Sequence, residues 1–336
     1  MTAAVLAVDG GNSKTDIALV ADDGRVLAFV RGPTSSHQAV GLERGMEQLV
    51  GLVSDAAARA GLDPAARPIA RIGVHAIAGA DYPRDVRMLE RALAGTGLTD
   101  EVVVVNDTIG ALWAGSSAGW GIALICGEGI NGAAVAPDGR QVRFDGVGDI
   151  SGDWGGGHSV GRAGLAAAVR ATDGRGPKTS LERLVPAHFG LRRPPALTRA
   201  FYEGRIAERR TSELSPIVFA AAGEGDAVAR SIIDRLADEL VAMATALARR
   251  ARLTRLPVEV VLAGGVFRAT DEPFYGRLSD DIRAVVPAAT FVRLDAPPVA
   301  GPALEGLRRL GHADETMRAR LQSALAAADA ETHRSP

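Results

Sequence analysis

The order of short apolar segments constrains the fold most, because the chain contains the same order twice. Three strand-like segments, a helix, a strand, a helix and a strand follow one another in the first third, and this order begins again after about residue 120. Four consecutive valines, Val102–Val105, have the composition of a parallel strand that is buried on both faces. The pattern therefore predicts two similar α/β domains.

The individual elements are predicted from the spacing of apolar residues and from the Gly, Pro and Asp turns between them. In the first repeat, strands are expected at 3–8, 17–20, 26–30, 72–77 and 102–105, and helices at 42–60, 85–93 and 109–114. In the second repeat, strands are expected at 121–126, 132–135, 141–144, 258–262 and 290–294, and helices at 274–285 and 300–310, with a helical insertion over 160–252.

The chain of 336 residues is long enough for two hydrophobic cores. We place the first domain at residues 1–115 and the second at 116–311, and we expect a last helix, 312–330, to return to the first domain. Ligands of such sheets bind at the carboxyl ends of the strands. Two domains that face each other would therefore bind a ligand in an interdomain cleft.

Composition excludes several classes of function. A net charge of −2 gives no broad basic surface, so nucleic acid is not expected as a partner. Cys126 is the only cysteine, which excludes an intramolecular disulfide and a cysteine-rich metal centre. The histidines, including His333, occur singly and without metal-ligand spacing. The sequence has neither a signal peptide pattern nor an apolar stretch of membrane length, so we expect a cytoplasmic protein without a membrane partner.

A turn rich in glycine and polar residues follows the first predicted strand. It reads Asp9-Gly10-Gly11-Asn12-Ser13-Lys14-Thr15. The glycines allow the backbone to approach a ligand closely, and the hydroxyls and the cation of the next residues suit a polyphosphate. The turn is not a P-loop, because a strand rather than a helix follows it. A plain hairpin turn is the alternative, but a hairpin does not need this many charged and hydroxyl groups.

Asn106-Asp107 comes directly after the four-valine strand and before a predicted helix. A carboxylate at this position would stay ionised near the positive end of the helix and could accept a proton from a substrate hydroxyl. Asp107 could also be only the N-cap of the helix, with no part in chemistry. The residues alone favour this simpler role.

Three further glycine-rich segments belong to the second repeat. Gly127-Glu128-Gly129 lies between its first two strands, at the step where the first repeat has its polar turn. Gly146–His158 is a long run that contains Asp149, Asp153 and Trp154, and its glycine content suggests close approach to a ligand or to another part of the chain. Leu262–Phe267 is a strand that leads into a double glycine, which could seat a flat ring on backbone.

Taken in this order, the five motifs resemble the phosphate-1, connect, phosphate-2 and adenosine motifs of the actin/hexokinase/Hsp70 superfamily, over residues 3–311. The opening Asp-Gly-Gly-x-Ser-Lys-Thr and the run Gly-Asp-Trp-Gly-Gly-Gly at 152–157 resemble the branch of N-acetylglucosamine kinases and BadF/BadG/BcrA/BcrD ATPases. The resemblance implies an α/β protein of two ribonuclease H-like (actin-like ATPase) domains that uses ATP with Mg²⁺.

The resemblance also implies a role for individual residues. Asp9 would hold Mg²⁺ through water, and Asp107 would be the catalytic base. The nucleotide would contact Asp9, Gly10, Gly11, Asn12, Ser13, Lys14, Thr15, Gly127, Glu128, Gly129, Gly264, Gly265 and Phe267. The sugar would contact Ser36, His37, Asp107, Gly146 and Asp153.

The implied reaction is transfer of the γ-phosphoryl group of ATP to an amino sugar, namely N-acetylglucosamine at its 6-hydroxyl or a close relative such as glucosamine. One alternative is an ATPase switch that activates a partner enzyme, although such ATPases use a cysteine pair and this chain has only Cys126. Another is a non-catalytic nucleotide or sugar sensor, because Glu128 stands where the family usually has Thr. Ser36 for Asn and Val147 for Trp leave the sugar open. The oligomeric state also stays open, with a homodimer as one alternative.

Overall fold

The computed structural model describes residues 2–312 and 314–332. His333 lies outside the described residues, as does Ala313 within the predicted last helix. The contacts divide the chain into a first unit, Met1–Gly121 with Val292–Pro336, and a second unit, Ile122–Phe291.

The first unit is built on a five-stranded sheet in the order β3-β2-β1-β4-β5. Its strands are β1 (Ala3–Gly10), β2 (Lys14–Val20), β3 (Val26–Pro33), β4 (Ala70–Ile77) and β5 (Thr99–Val105). The first three are antiparallel, and β4 and β5 continue the sheet parallel to β1. Around this sheet lie α1 (His37–Val40), α2 (Leu42–Arg59), α3 (Pro83–Gly95) and α4 (Asp107–Gly115). Helices cover the sheet because β1 is apolar and buried along almost its whole length.

The second unit repeats this arrangement. Its sheet has the order β10-β9-β6-β7-β8, with β6 (Gly121–Cys126), β7 (Ile130–Val135), β8 (Gln141–Arg143), β9 (Glu259–Ala263) and β10 (Thr290–Arg293). The helices are α5 (Gly156–Asp173), α6 (Leu181–His188), α7 (Pro194–Tyr202), α8 (Ser215–Gly223), α9 (Ala227–Arg250) and α10 (Glu272–Val285). The strand that follows the three-stranded meander again pairs parallel to the first strand, here β9 with β6. The predicted α/β class with two similar domains is confirmed.

The chain then returns to the first unit with α11 (Ala300–Arg309) and α12 (Glu315–Thr332). Helix α11 packs against β1 and α4. The packing is close, because a methyl group added to Gly301 would lie 1.9 Å from the carbonyl oxygen of Gly110. The domain boundary expected at residue 311 differs from this division, since α11 already belongs to the first unit. The cleft expected between the domains stays a prediction.

Among the described residues, no helix combines the length and the apolar composition that a membrane crossing requires.

Candidate functional site

The β1–β2 hairpin presents the predicted phosphate-binding turn. Gly11 N–H donates to the Lys14 carbonyl at 2.9 Å, which closes the turn, and Asn12 and Ser13 lie exposed at its tip. In the register of the two strands, Gly10 pairs with Thr15 and Asp9 pairs with Asp16. The turn therefore carries exposed polar groups on a rigid pair of strands, as a phosphate site requires.

The segment after β3 is tied to this hairpin by three hydrogen bonds. Thr34 Oγ1 donates to the Gly11 carbonyl at 2.7 Å, and Ser36 Oγ donates to Asn12 Oδ1 at 2.7 Å. Ser35 N–H donates to Thr15 Oγ1 at 2.8 Å. Residues 34–37, which we call the sugar loop, and the predicted phosphate turn thus form one bonded unit. The buried hydroxyl of Thr15 braces this unit and does not project from the tip of the turn.

Asn106, and not Asp107, is the N-cap of α4. The Asn106 side-chain oxygen accepts hydrogen bonds from Thr108 N–H at 3.1 Å and from Thr108 Oγ1 at 2.5 Å. Asp107 is the first residue of the helix and is half-buried, and its carboxylate also accepts from Thr108 N–H at 3.0 Å. The N-cap role that the residues alone favour for Asp107 therefore belongs to Asn106, and the carboxylate of Asp107 lies at the positive end of α4.

Asp81 was missed by sequence reasoning. Its carboxylate accepts from Asn106 Nδ2 at 2.9 Å and from Gln38 Nε2 at 3.0 Å, so it joins the start of α4 to the residue that follows the sugar loop. Its only signal in the sequence is its position in the turn after β4, at the same end of the sheet as Asp9 and Asp107. A turn carboxylate of this kind has no local pattern that separates it from an ordinary loop residue.

The charged form of the Asp9 carboxyl is unfavourable in the folded protein. Its pKa is raised from 3.8 to about 7, chiefly by burial and in part by the charges of Asp16 and Asp107, while Lys14 and Arg31 oppose the rise. Negative charge is therefore in excess around Asp9 at neutral pH. A divalent cation would relieve this excess, and carboxylate oxygens are the ligands that Mg²⁺ prefers.

The charge and the donor atoms around Asp9 therefore fit the magnesium ion implied by the resemblance. The described ranges 2–312 and 314–332 contain no group of three or more His, Cys, Asp or Glu side chains that could hold a metal. Such a group is not needed, because Mg²⁺ is usually held by one or two carboxylates together with water and substrate phosphates.

Lys14 is placed differently from the expectation. The Lys14 ammonium lies 2.5 Å from Asp16 Oδ2, so it bonds to protein rather than standing free at the turn. His37 begins α1 beside Ser36 and is half-buried, and within the described chain its Nδ1 has no hydrogen-bond partner.

In the second unit, the β6–β7 hairpin rests on the start of α5. Gly157 N–H donates to the Gly127 carbonyl at 2.8 Å, and His158 N–H donates to the Glu128 carbonyl at 2.9 Å. The Glu128 side chain is exposed, and no described atom lies within 4 Å of a methyl group added to Gly127 or Gly129. The hairpin therefore offers an open backbone surface, with one carboxylate on it.

The glycine-rich run after β8 is partly explained by packing. Gly146 has φ +67°, and a methyl group there would lie 2.2 Å from Asn131 Nδ2, so a larger residue would be strained and would displace the Asn131 side chain. Asp153 is half-buried and accepts a short hydrogen bond from Ser151. The Arg235 guanidinium lies 3.9 Å from the centroid of the Trp154 ring, so α9 anchors the end of the run.

The double glycine after β9 lies against the β6–β7 hairpin. Gly264 has φ +110°, and a methyl group there would lie 2.4 Å from the Cys126 carbonyl oxygen and 3.0 Å from Gly127 N. Gly265 is exposed and open. Phe267 is buried and packs near Phe274, with ring centroids 6.4 Å apart. Its side chain belongs to the core, so a nucleotide contact could involve only its backbone.

Each unit thus brings together its own part of the predicted site. The first unit gathers the turn at 9–15, the sugar loop and Asp107 at one end of its sheet. The second unit gathers Gly127–Gly129 and the double glycine, and fixes the run that carries Gly146 and Asp153.

Comparison with known proteins identifies relatives of this chain. The chain is 29% identical over 263 residues to an N-acetylmuramic acid/N-acetylglucosamine kinase of Clostridium acetobutylicum, a match that covers 78% of this chain and 85% of that protein. It is 26% identical over 247 residues to an N-acetyl-D-glucosamine kinase of Dictyostelium discoideum, covering 70% and 76% of the two chains.

A solved structure from Chromobacterium violaceum, provisionally assigned as an N-acetylglucosamine kinase, has the same fold, with a TM-score of 0.68 and 23% identity over 91% of this chain and 99% of that one. Residues 6–305 match the BadF/BadG/BcrA/BcrD ATPase family. The match covers most of the chain, and the chain therefore belongs to this ATPase family.

Proposed function

We propose that the protein is an ATP-dependent kinase that transfers the γ-phosphoryl group to a hydroxyl of an amino sugar, N-acetylglucosamine or a close relative. The observation that carries the proposal is the carboxylate of Asp107, which stands at the start of α4 while Asn106 does the capping. The kinase names of the two relatives support the amino-sugar substrate.

Asp107 acts as the base in this proposal. The positive end of α4 favours its ionised form, which can accept the proton of the attacking hydroxyl. Asp81 positions the base indirectly, because it fixes Asn106, which fixes the first turn of α4. Phosphoryl transfer depends mainly on positioning and charge neutralisation, so one carboxylate on a rigid helix end suffices for the proton.

The nucleotide would be held by backbone of both repeats. We assign the phosphates to the turn at 10–15, whose exposed residues are Asn12, Ser13 and Lys14, and to the open backbone of Gly127–Gly129. We assign the adenosine to the double glycine Gly264-Gly265, both residues of which are exposed. Asp9 would hold Mg²⁺ through water, which is consistent with the excess of negative charge at this carboxyl. When bound, Mg²⁺ neutralises phosphate charge that the backbone alone cannot.

The sugar would be held by Ser36, His37, Gly146 and Asp153. Ser36 and His37 belong to a segment that is hydrogen-bonded to the phosphate turn, so a sugar bound there would be aligned with the nucleotide. Asp153 supplies a carboxylate for sugar hydroxyls, and Ser151 orients it. The cytoplasmic location and the homodimer stay predictions.

The test is a transfer assay with labelled ATP and Mg²⁺ over N-acetylglucosamine, N-acetylmuramic acid, glucosamine and plain hexoses. We expect a labelled sugar phosphate from at least one amino sugar and weak or no transfer to the hexoses. Hydrolysis of ATP at the same rate with and without every sugar would overturn the kinase and favour an ATPase switch.

A further inference from the structure

Four charged side chains form a continuous row behind the phosphate turn. Arg31 Nε donates to Asp16 Oδ1 at 2.6 Å, and Arg31 Nη2 donates to Asp16 Oδ2 at 2.7 Å. Lys14 Nζ reaches the same carboxylate at 2.5 Å. On its other side, Arg31 Nη2 donates to Asp329 Oδ1 of α12 at 2.5 Å. We call these four residues the Asp16 network.

The strand register explains the position of the network. Arg31 on β3 pairs with Asp16 on β2, and Asp16 pairs with Asp9 on β1, so the three residues form one row across the sheet. The Asp16 side chain is 0% exposed and that of Arg31 is 16% exposed. A buried carboxylate is costly unless it is paired and hydrogen-bonded, and the guanidinium fork of Arg31 meets both of its oxygens.

The network decides how strongly Lys14 is held. With Arg31 in place, two cations share the carboxylate of Asp16, and the Lys14 side chain, 45% exposed, keeps donors that can turn outward. Without Arg31, Lys14 would be the only cation of the network against a buried carboxylate. Its ammonium would then be drawn to Asp16 and lost to a ligand at the turn.

We propose that Arg31 is a positioning residue for the nucleotide, which acts through Asp16 on Lys14 and is itself held by Asp329 of the C-terminal helix. The proposal rests on the proposed function, since it assumes that the turn binds phosphate. It extends the nucleotide site to α12, which carries none of the sequence motifs. The alternative is a purely structural role for Arg31. In that case its buried ion pair with Asp16 stabilises the sheet and does not affect nucleotide affinity.

The test measures binding of a non-hydrolysable ATP analogue with Mg²⁺ by calorimetry, together with thermal melting of the same samples. Arg31→Gln removes the fork, and we expect it to weaken analogue binding by about tenfold, as for loss of a charge-assisted contact. Arg31→Lys restores the charge without the fork and should recover part of the affinity. Asp329→Asn should weaken binding by about twofold to fivefold. Glu315→Gln, an exposed change on the same helix, is the control and should have no effect.

A double-mutant cycle tests the route through Lys14. In a Lys14→Ala background, Arg31→Gln should cause little further loss of affinity, because the residue on which it acts is absent. Equal losses in both backgrounds would overturn this route. A folded Arg31→Gln with wild-type affinity would overturn the proposal, and if that variant does not fold, wild-type affinity of Asp329→Asn would do so. Absence of analogue binding by the wild-type protein would instead refute the proposed function.

Discussion

Replacing Asp9 by Asn should make the protein more stable at pH 8 while it abolishes activity. In the folded protein the pKa of Asp9 is raised from 3.8 to about 7, mainly by burial. The folded state therefore holds a proton that the unfolded state has released, and stability is lost as pH rises from 3.8 to about 7. A shift of about 3 units corresponds to about 4 kcal/mol, since each unit is worth about 1.36 kcal/mol.

Relaxation of the half-buried site will reduce this value, so we expect a gain of about 2–4 kcal/mol for Asp9→Asn above pH 7. For a unit of this size the gain corresponds to a rise in melting temperature of about 5–10 °C. The assay is thermal melting at pH 8 without divalent cations, and Asp100→Asn, an exposed change on β5, is the matched control.

The same experiment with Mg²⁺ tests whether the Asp9 carboxyl, besides lowering stability at pH 8, also holds the ion. Mg²⁺ should raise the melting temperature of the wild-type protein and leave that of Asp9→Asn unchanged, because the ion compensates the charge that the variant lacks. If Asp9→Asn melts at or below the wild-type temperature at pH 8, the ionised Asp9 carboxylate does not destabilise the folded protein and the reasoning fails.

Three further changes have defined outcomes. Burial lowers the pKa of His75 from 6.5 to about 4, so this histidine takes up a proton in the unfolded protein before it does so in the folded protein as pH falls. Between pH 6.5 and 4 the wild-type protein should therefore lose about 3 kcal/mol of stability relative to His75→Gln, as measured from denaturant midpoints. Gly264→Ala should lower the free energy of unfolding by about 1 kcal/mol or more, because alanine is strained at a positive φ. An unchanged denaturant midpoint would contradict the close contact with the Cys126 carbonyl. Glu128→Thr removes an exposed charge from the second turn, so calorimetry should show tighter ATP binding with unchanged melting; unchanged affinity would mean that the carboxylate points away from the phosphates.

The repeated sheet could be predicted from the sequence because its signals are local. Short apolar strands, glycine turns and the run at Val102–Val105 each lie within a few residues, and both units follow the predicted order of elements along the chain. The boundary at residue 311 could not be predicted, because the place of α11 depends on its contact with Gly110, about 190 residues earlier in the chain. No local pattern reports such a contact.

The segments of the candidate site could be located from the sequence, and their hydrogen bonds could not. Asn106 and Asp107 are both good N-caps, so only the structure assigns the cap to Asn106. Asp16 bonds to Arg31 of the neighbouring strand, and no local sequence pattern reports a pair of residues on two strands. Phe267 follows a glycine pair, but the direction of its ring is decided by packing near Phe274.

The central claim is that Asp107 takes the proton from the substrate hydroxyl. Asp107→Asn keeps the size of the side chain and removes its basicity, and because Asn106 caps α4, the melting temperature should stay within about 1–2 °C of wild type. Turnover with ATP and the preferred amino sugar should fall by about 10²–10⁴, with ATP affinity unchanged. A variant that melts normally, binds ATP and still forms sugar phosphate near the wild-type rate would contradict the account.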